Sequence, residues 1–209
     1  MAVQTYWTEK TGGGYRPCFV QADGLERRDS PIVADKVEAL KAARAALETD
    51  NRERERKAAF RACPMAESFL AVLLQDLQHS ESDEATSEGR EARDTGTIYD
   101  CPDSTFRAAV AECESFLAAI AAHLAAVPDG ALAGLDLANR YTLEQMGSDL
   151  YLERAGHGAG FRDRDSWSDD REENRAIGEA LSDLVESRHS LEAYLGDDGQ
   201  TYICGKESA

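Results

Sequence analysis

No hydrophobic run in this sequence approaches the roughly 20 residues that a membrane-spanning helix needs. The longest, Phe69 to Leu74 and Phe116 to Ala122, fall far short, and the polar N-terminus lacks the apolar centre of a secretory signal. A cytoplasmic protein without a membrane partner is expected. Paired cysteines are missing too. Cys18, Cys63, Cys101, Cys113 and Cys204 stand singly with no C-x-x-C, and five thiols cannot all pair within one chain, so free thiols in a reducing compartment are expected. His79, His123, His157 and His189 are equally scattered, which removes the short ligand pairs that zinc sites use. There is no P-loop, H-E-x-x-H, EF-hand loop or nucleophile elbow, so the expectation is a protein with no metal and no cofactor that is not an enzyme. Lysine is confined to positions 10, 36, 41, 57 and 206.

What the chain does have is acid. Its 209 residues, 42% hydrophobic, suffice for a substantial core, yet the net charge is −17. Residues 1–48 balance seven acids with seven bases, residues 49–97 carry eleven and seven, and residues 98–204 carry twenty-one and eight. A C-terminal half so charged repels phosphates and attracts basic surfaces, so direct DNA binding by that half is not expected. A halophilic source would also give this composition.

The hydrophobic pattern implies an α+β fold. Residues 5–8 and 15–20 are β-prone runs around Gly12-Gly13-Gly14, and read as a hairpin. After Ser30-Pro31, a plausible helix entry, Val33, Val37, Leu40 and Leu47 share a helical face, completing a small N-terminal β-β-α module over residues 1–60. Asn51 to Lys57 alternates charge signs and reads as a continuing exposed helix or a solvated connection. Residues 61–97 read as an amphipathic helix through Met65, Phe69, Val72, Leu73 and Leu77, followed by a flexible acidic loop from His79 to Gly96. Residues 98–209 form the expected acidic domain. Its long amphipathic helix carries Phe106, Val110, Cys113, Leu117, Ile120, Leu124 and Val127 at alternating steps of four and three, with Ser104 as N-cap, and this seam could pack internally or against a second copy as a homodimer. Beyond it, Gly147 ends a helical stretch, and Leu150-Tyr151-Leu152 and Phe161 flank a glycine-rich hairpin turn. Asp169 and Glu172 suggest a capping box for a helix bearing Ile177, Leu181, Leu184 and Val185. Tyr194-Leu195 and Thr201-Tyr202-Ile203 bracket Gly196-Asp197-Asp198-Gly199 as a last hairpin, which completes a hairpin–helix–hairpin unit.

The residues Gly147, Asp149, Tyr151 and Leu152, then Gly156 to Phe161 with Asp163 and Arg164, then Tyr194 to Gly199 with Tyr202, form two glycine-rich motifs. In these the segment resembles an uncharacterised family of small proteins carried by bacteriophages and other mobile elements. It departs from that pattern at Leu150 and Arg162, where aromatics are expected. The resemblance implies a phage or mobile-element setting and no activity. The N-terminal module, with Lys10, Arg16, Arg27 and Arg28, also looks like the short DNA-binding arm of phage integrases, which implies a nucleic-acid-binding regulator as a second reading.

Several residue groups compete for a function. The loop with His157, Gly158 and Gly160 could cradle an anion, but Arg162-Asp163-Arg164-Asp165 follows where a P-loop needs Lys and a helix, which favours a structural turn. His157 near Asp163 and Asp165 would make a His–carboxylate pair for acid–base work, though nothing supplies a nucleophile. Asp163, Asp165, Asp169 and Asp170, with Asp197 and Asp198, could hold a divalent cation but lack the twelve-residue calcium spacing. The sharpest reading is phosphate mimicry. In an extended segment Asp163 and Asp165 would project on one face about 6.6 Å apart, and Asp169, Asp170, Glu173, Glu179, Asp183 and Glu186 would add to that surface. The expected partner is then a basic nucleic-acid-binding host protein or nuclease complex, inhibited in the manner of an anti-CRISPR or anti-restriction protein.

Overall fold

A computed structural model of the chain describes residues 6–20, 25–28, 32, 35–135, 137, 140–157, 160–165, 167–186 and 191–205. The fold is α+β, and the chain divides into two compact units, Met1–Ala59 and Phe60–Ala209.

In the first unit, β1 (Tyr6–Thr11) and β2 (Gly14–Val20) pair antiparallel across Gly12-Gly13, as the triple glycine predicts. A short β3 (Glu26–Arg27), unsignalled in the sequence, adds to β2 and makes a three-stranded sheet. The α1 helix (Lys36–Ala62) starts one turn beyond the expected Ser30-Pro31 entry, which lies outside the described residues. Asp35 caps it instead, its Oδ1 accepting from the Val37 and Glu38 N–H groups at 2.7 and 3.0 Å. Its buried face is Ala39, Ala43 and Leu47, while Val37 is 59% exposed; small alanines, invisible to a search for bulky residues, set the face. The charge-alternating stretch is helix, with Asp50–Arg54 and Glu53–Lys57 pairing at i,i+4.

The second unit holds α2 (Pro64–Glu88), α3 (Asp103–Ala126), α4 (Leu143–Ala155), α5 (Arg171–Glu186) and a hairpin of β4 (Leu191–Leu195) and β5 (Thr201–Gly205) around one core. Two expectations need correcting here. Residues 79–88, read as loop, continue α2, which ends at Gly89 in the left-handed conformation with φ 69°. The polar tail is held because Glu81, 5% exposed, gathers the turn that follows. It accepts from the Arg93 backbone N–H at 3.0 Å, from the Arg93 guanidinium at 3.1 and 3.2 Å, and from Arg90.

The second correction concerns Leu150-Tyr151-Leu152, read as strand after a break at Gly147 and found within α4. Thr142 and Gln145 form a full capping box that starts the helix, and Gly147 is a contact point rather than a break. The most extensive helix packing in the unit is α4 on α2, and a Cβ at position 147 would collide with the Met65 carbonyl.

The seam of α3 is rotated by about one residue from the expected one. Thr105, Ala109, Cys113, Phe116 and Ile120 are buried, Phe106, Val110, Leu117 and Leu124 flank them, and Val127 is exposed. Pro102, not Ser104, is the N-cap. Among the described residues α3 is long and apolar enough to cross a membrane by length and composition, which the short apolar runs did not suggest; its buried stripe packs with α2, α5 and β5.

Candidate functional site

Three residues of the first glycine-rich motif, Asp149, Phe161 and Arg164, lie on α4 and on the segment that leads from it to α5. Asp149 is fully buried on α4. It accepts the Tyr141 hydroxyl and a bidentate Arg164 guanidinium, whose Nε lies 2.8 and 2.9 Å from the two carboxylate oxygens. Burial, then the adjacent carboxylate, pushes the Tyr141 phenol well above its ordinary range. Phe161 stacks on Phe116 with ring centroids 5.4 Å apart, and its N–H donates to Glu153 at 3.1 Å. A Cβ at Gly160 would displace the Glu153 carboxylate from this bond. Asn174 pins the next turn, its Oδ1 accepting from Trp167 and Ser168 N–H at 3.0 and 2.8 Å.

Among the described residues no glycine-rich hairpin forms: Gly156 ends α4 in the left-handed conformation, φ 75°, because a helix that must stop needs a residue without a Cβ penalty. Gly158 lies outside the described residues. His157 is not beside Asp163 and Asp165. Its Nε2 is 3.0 Å from Asp76 Oδ2 on α2, the same oxygen that accepts the Tyr151 hydroxyl at 2.6 Å. Burial and then Asp76 raise the Tyr151 phenol above its usual range. The partner, seventy-five residues from Tyr151, had no signal in the local sequence.

The acidic surface is laced with arginine. Asp169 pairs with Arg140 at 3.0 Å, which holds its carboxyl below the ordinary value. Arg162 takes Glu186 at 2.6 Å and Asp183 at 3.8 Å, and Arg175 lies 3.8 Å from Glu179. Glu173 accepts from the Ser168 hydroxyl. Asp170, rather than Asp169, caps α5, accepting from Glu172 and Glu173 N–H at 2.7 and 3.0 Å. Asp163 and Asp165 are exposed and line an open cleft of about 560 Å³ with Glu172, floored by Asn174. Arg162, Arg164, Arg171 and Arg175 line the same cleft. Among the described residues Arg171 makes no ion pair, while Arg164 is spent on Asp149.

The sequence reading saw one sign of charge in this segment, and the structure interleaves two. Of the two acids at residues 197–198, Asp198 serves the hairpin: its Oδ1 accepts from Gln200 N–H at 3.0 Å and its Oδ2 from the Tyr202 hydroxyl at 2.8 Å. Among the described residues no group of three or more His, Cys, Asp or Glu side chains is placed to hold a metal ion. Set against family models, curated proteins and solved structures, the chain matches none.

Proposed function

We propose that this chain is a non-enzymatic phage or mobile-element accessory protein that docks on a basic, nucleic-acid-handling host protein and inhibits it. The reading rests on how charge divides between the two compact units. Residues 1–59 hold ten acidic and eleven basic side chains, whereas residues 60–209 hold thirty and twelve. A field of that sign draws a cationic protein surface from solution and turns away free nucleic acid. The contact itself is assigned to the cleft between Arg162 and Arg175, whose interleaved signs suit a protein surface carrying charges of both kinds better than a uniform polyphosphate. Recognition by paired charges replaces the simple row of carboxylates, since Asp169, Glu179, Asp183 and Glu186 all have arginine neighbours.

The test is capture of a purified basic nuclease complex on the immobilised full-length protein. Binding is expected to weaken as salt rises, and to fall at least tenfold on reversing either sign in the cleft, with Asp163→Lys and Asp165→Lys in one variant and Arg171→Glu and Arg175→Glu in another. Equal retention by both variants removes the cleft from the proposal. A salt-sensitive shift of labelled DNA by the intact chain would replace it with the nucleic-acid reading, against which Arg16 and Arg28 already lie within ion-pair distance of Glu9.

A further inference from the structure

The β4–β5 hairpin presents two unlike faces. Leu191, Ala193 and Ile203 pack against the core, and the Thr201 carbonyl accepts from the Thr105 hydroxyl at 2.7 Å. Side chains alternate along a strand, so Glu192 and Tyr194 on β4 share the outer face with their cross-strand partners Cys204 and Tyr202. The two tyrosine rings stack there, with centroids 5.6 Å apart and planes at 24°. Tyr194 still keeps 50% of its surface exposed, more than any other large hydrophobic side chain among the described residues of the second unit.

The pair is fixed in place. Tyr202 donates its hydroxyl to Asp198 at 2.8 Å, and its ring lies so close over the turn that a Cβ on Gly196 would come within 2.9 Å of it. The Gln200 N–H and then Tyr202 hold the Asp198 carboxyl below its ordinary value, so it is charged at neutral pH. An open tyrosine face thus stands beside a charged carboxylate. The face of an aromatic ring attracts cations, and a planar guanidinium can stack on the ring while pairing with a carboxylate, which an ammonium group does less well. Charge points the same way. Residues 191–205 contain Glu192, Asp197 and Asp198 and no lysine or arginine, unlike the arginine-laced surface of α5. Arg93 reaches the turn at the Gly196 carbonyl, 3.5 Å away, but its guanidinium is held by Glu81. Nucleobases also stack on tyrosine, yet their phosphates would meet these carboxylates.

We propose that the outer face of this hairpin is a docking surface for an arginine-bearing segment of a basic protein, with one guanidinium stacked on the open face of Tyr194 and paired with Asp198. The assignment rests on the partner being basic, and it adds an aromatic contact to the charged cleft.

The probe is the peptide Gly-Arg-Gly-Arg-Gly, titrated into the isotope-labelled full-length protein at about 0.15 M salt, where long-range attraction is screened. The peptide Gly-Lys-Gly-Lys-Gly is the control. Shifts are expected to concentrate on Tyr194, Tyr202 and residues 196–200, with the arginine peptide bound more tightly than the lysine peptide. Tyr194→Ala should weaken the arginine peptide by about fivefold, while Tyr194→Phe, which keeps the ring, should bind as the wild type does. The hairpin amide signals report whether the alanine variant is folded, and the wild-type shift map decides the matter without it. Equal affinity for the two peptides overturns the proposal, as do shifts spread over the whole acidic surface or tighter binding of a short oligothymidine. The titration contains no host protein, so its outcome is separate from nuclease capture. Arginine peptide held at Tyr194 by a protein that captures no nuclease would support the hairpin surface and end the inhibitor reading.

Discussion

At the scale of single residues, the buried carboxylates decide what this molecule can tolerate. Asp149 has no exposure and spends both oxygens on Tyr141 and Arg164, so removing its charge strands a guanidinium and a phenol at the α4–α5 junction. Breaking a buried pair by deleting one partner costs about 3–5 kcal/mol, and because Arg164 is 45% exposed water recovers part of this; Asp149→Asn is expected to lose about 3 kcal/mol in a denaturant titration. Asp149 and Arg164 both stood in the glycine-rich motif, so the sequence held the pair in view without revealing that it was a pair. Glu81 gave no such hint, lying in a stretch of Ser, Glu and Asp that reads as solvated. Hydrogen bonds from Arg93 and then Arg90 hold its carboxyl at about 2, down from an ordinary 4.5. A depressed folded value means the unfolded chain binds the extra proton first. The stabilisation is therefore complete above about 4.5 and is lost as pH falls toward about 2. Glu81→Gln should lower the thermal midpoint at pH 7 and flatten its decline across that acid window. A parallel decline in both proteins would show that Glu81 does not govern it.

At the scale of elements, both hairpins were legible because each is signalled twice, by β-prone runs and by glycine at the turn. The central helix was legible as a helix but not in its rotation. Counting large apolar residues put the seam on Phe106 and Val110, while burial falls on Thr105 and Ala109, where a small side chain lets a neighbour approach. The same cause hid α4. Gly147 reads as a breaker when judged alone, and becomes an approach point only when α2 is laid against it. Its helix signal was present one turn earlier in Thr142 and Gln145, within a stretch read as helical, but the reading stopped the helix at Gly147, whereas it runs on to Ala155. That cap should be measurable: Thr142→Ala removes the acceptor for the Gln145 N–H and is expected to cost about 1 kcal/mol, with amide exchange accelerating first in the opening turn of α4. Gly147→Ala, by contrast, forces α4 off α2 and should cost about 1–3 kcal/mol as an overpacking change. A Gly147→Ala protein as stable as the wild type would mean that the two helices do not meet as closely as described.

At the scale of the whole molecule, the two units face opposite electrostatic situations. The first is nearly neutral, with ten acids against eleven bases, and the second carries thirty against twelve, so its folded state brings together charges that the extended chain keeps apart. Self-repulsion of this kind opposes compaction, and salt relieves it. Raising ionic strength from about 0.01 M to 0.15 M shortens the screening length from about 30 Å to about 8 Å, well inside the breadth of a 150-residue unit. Local pairs such as Arg162–Glu186, at 2.6 Å, are weakened far less than the long-range repulsion, since they lie well inside either length. The midpoint of the second unit should therefore rise with salt, by about 2–4 °C for each kcal/mol of repulsion removed. The first unit should hardly respond. Amide exchange at two salt concentrations reads the units separately in the intact chain. Protection that increases across Phe60–Ala209 and stays level in β1, β2 and α1 up to Ala59 would follow from the charge division, and uniform protection changes would contradict it. The same field sets the range at which a cationic partner is drawn in. If salt leaves the folded second unit indifferent, its carboxylates are balanced locally, and long-range attraction of a basic protein loses its source.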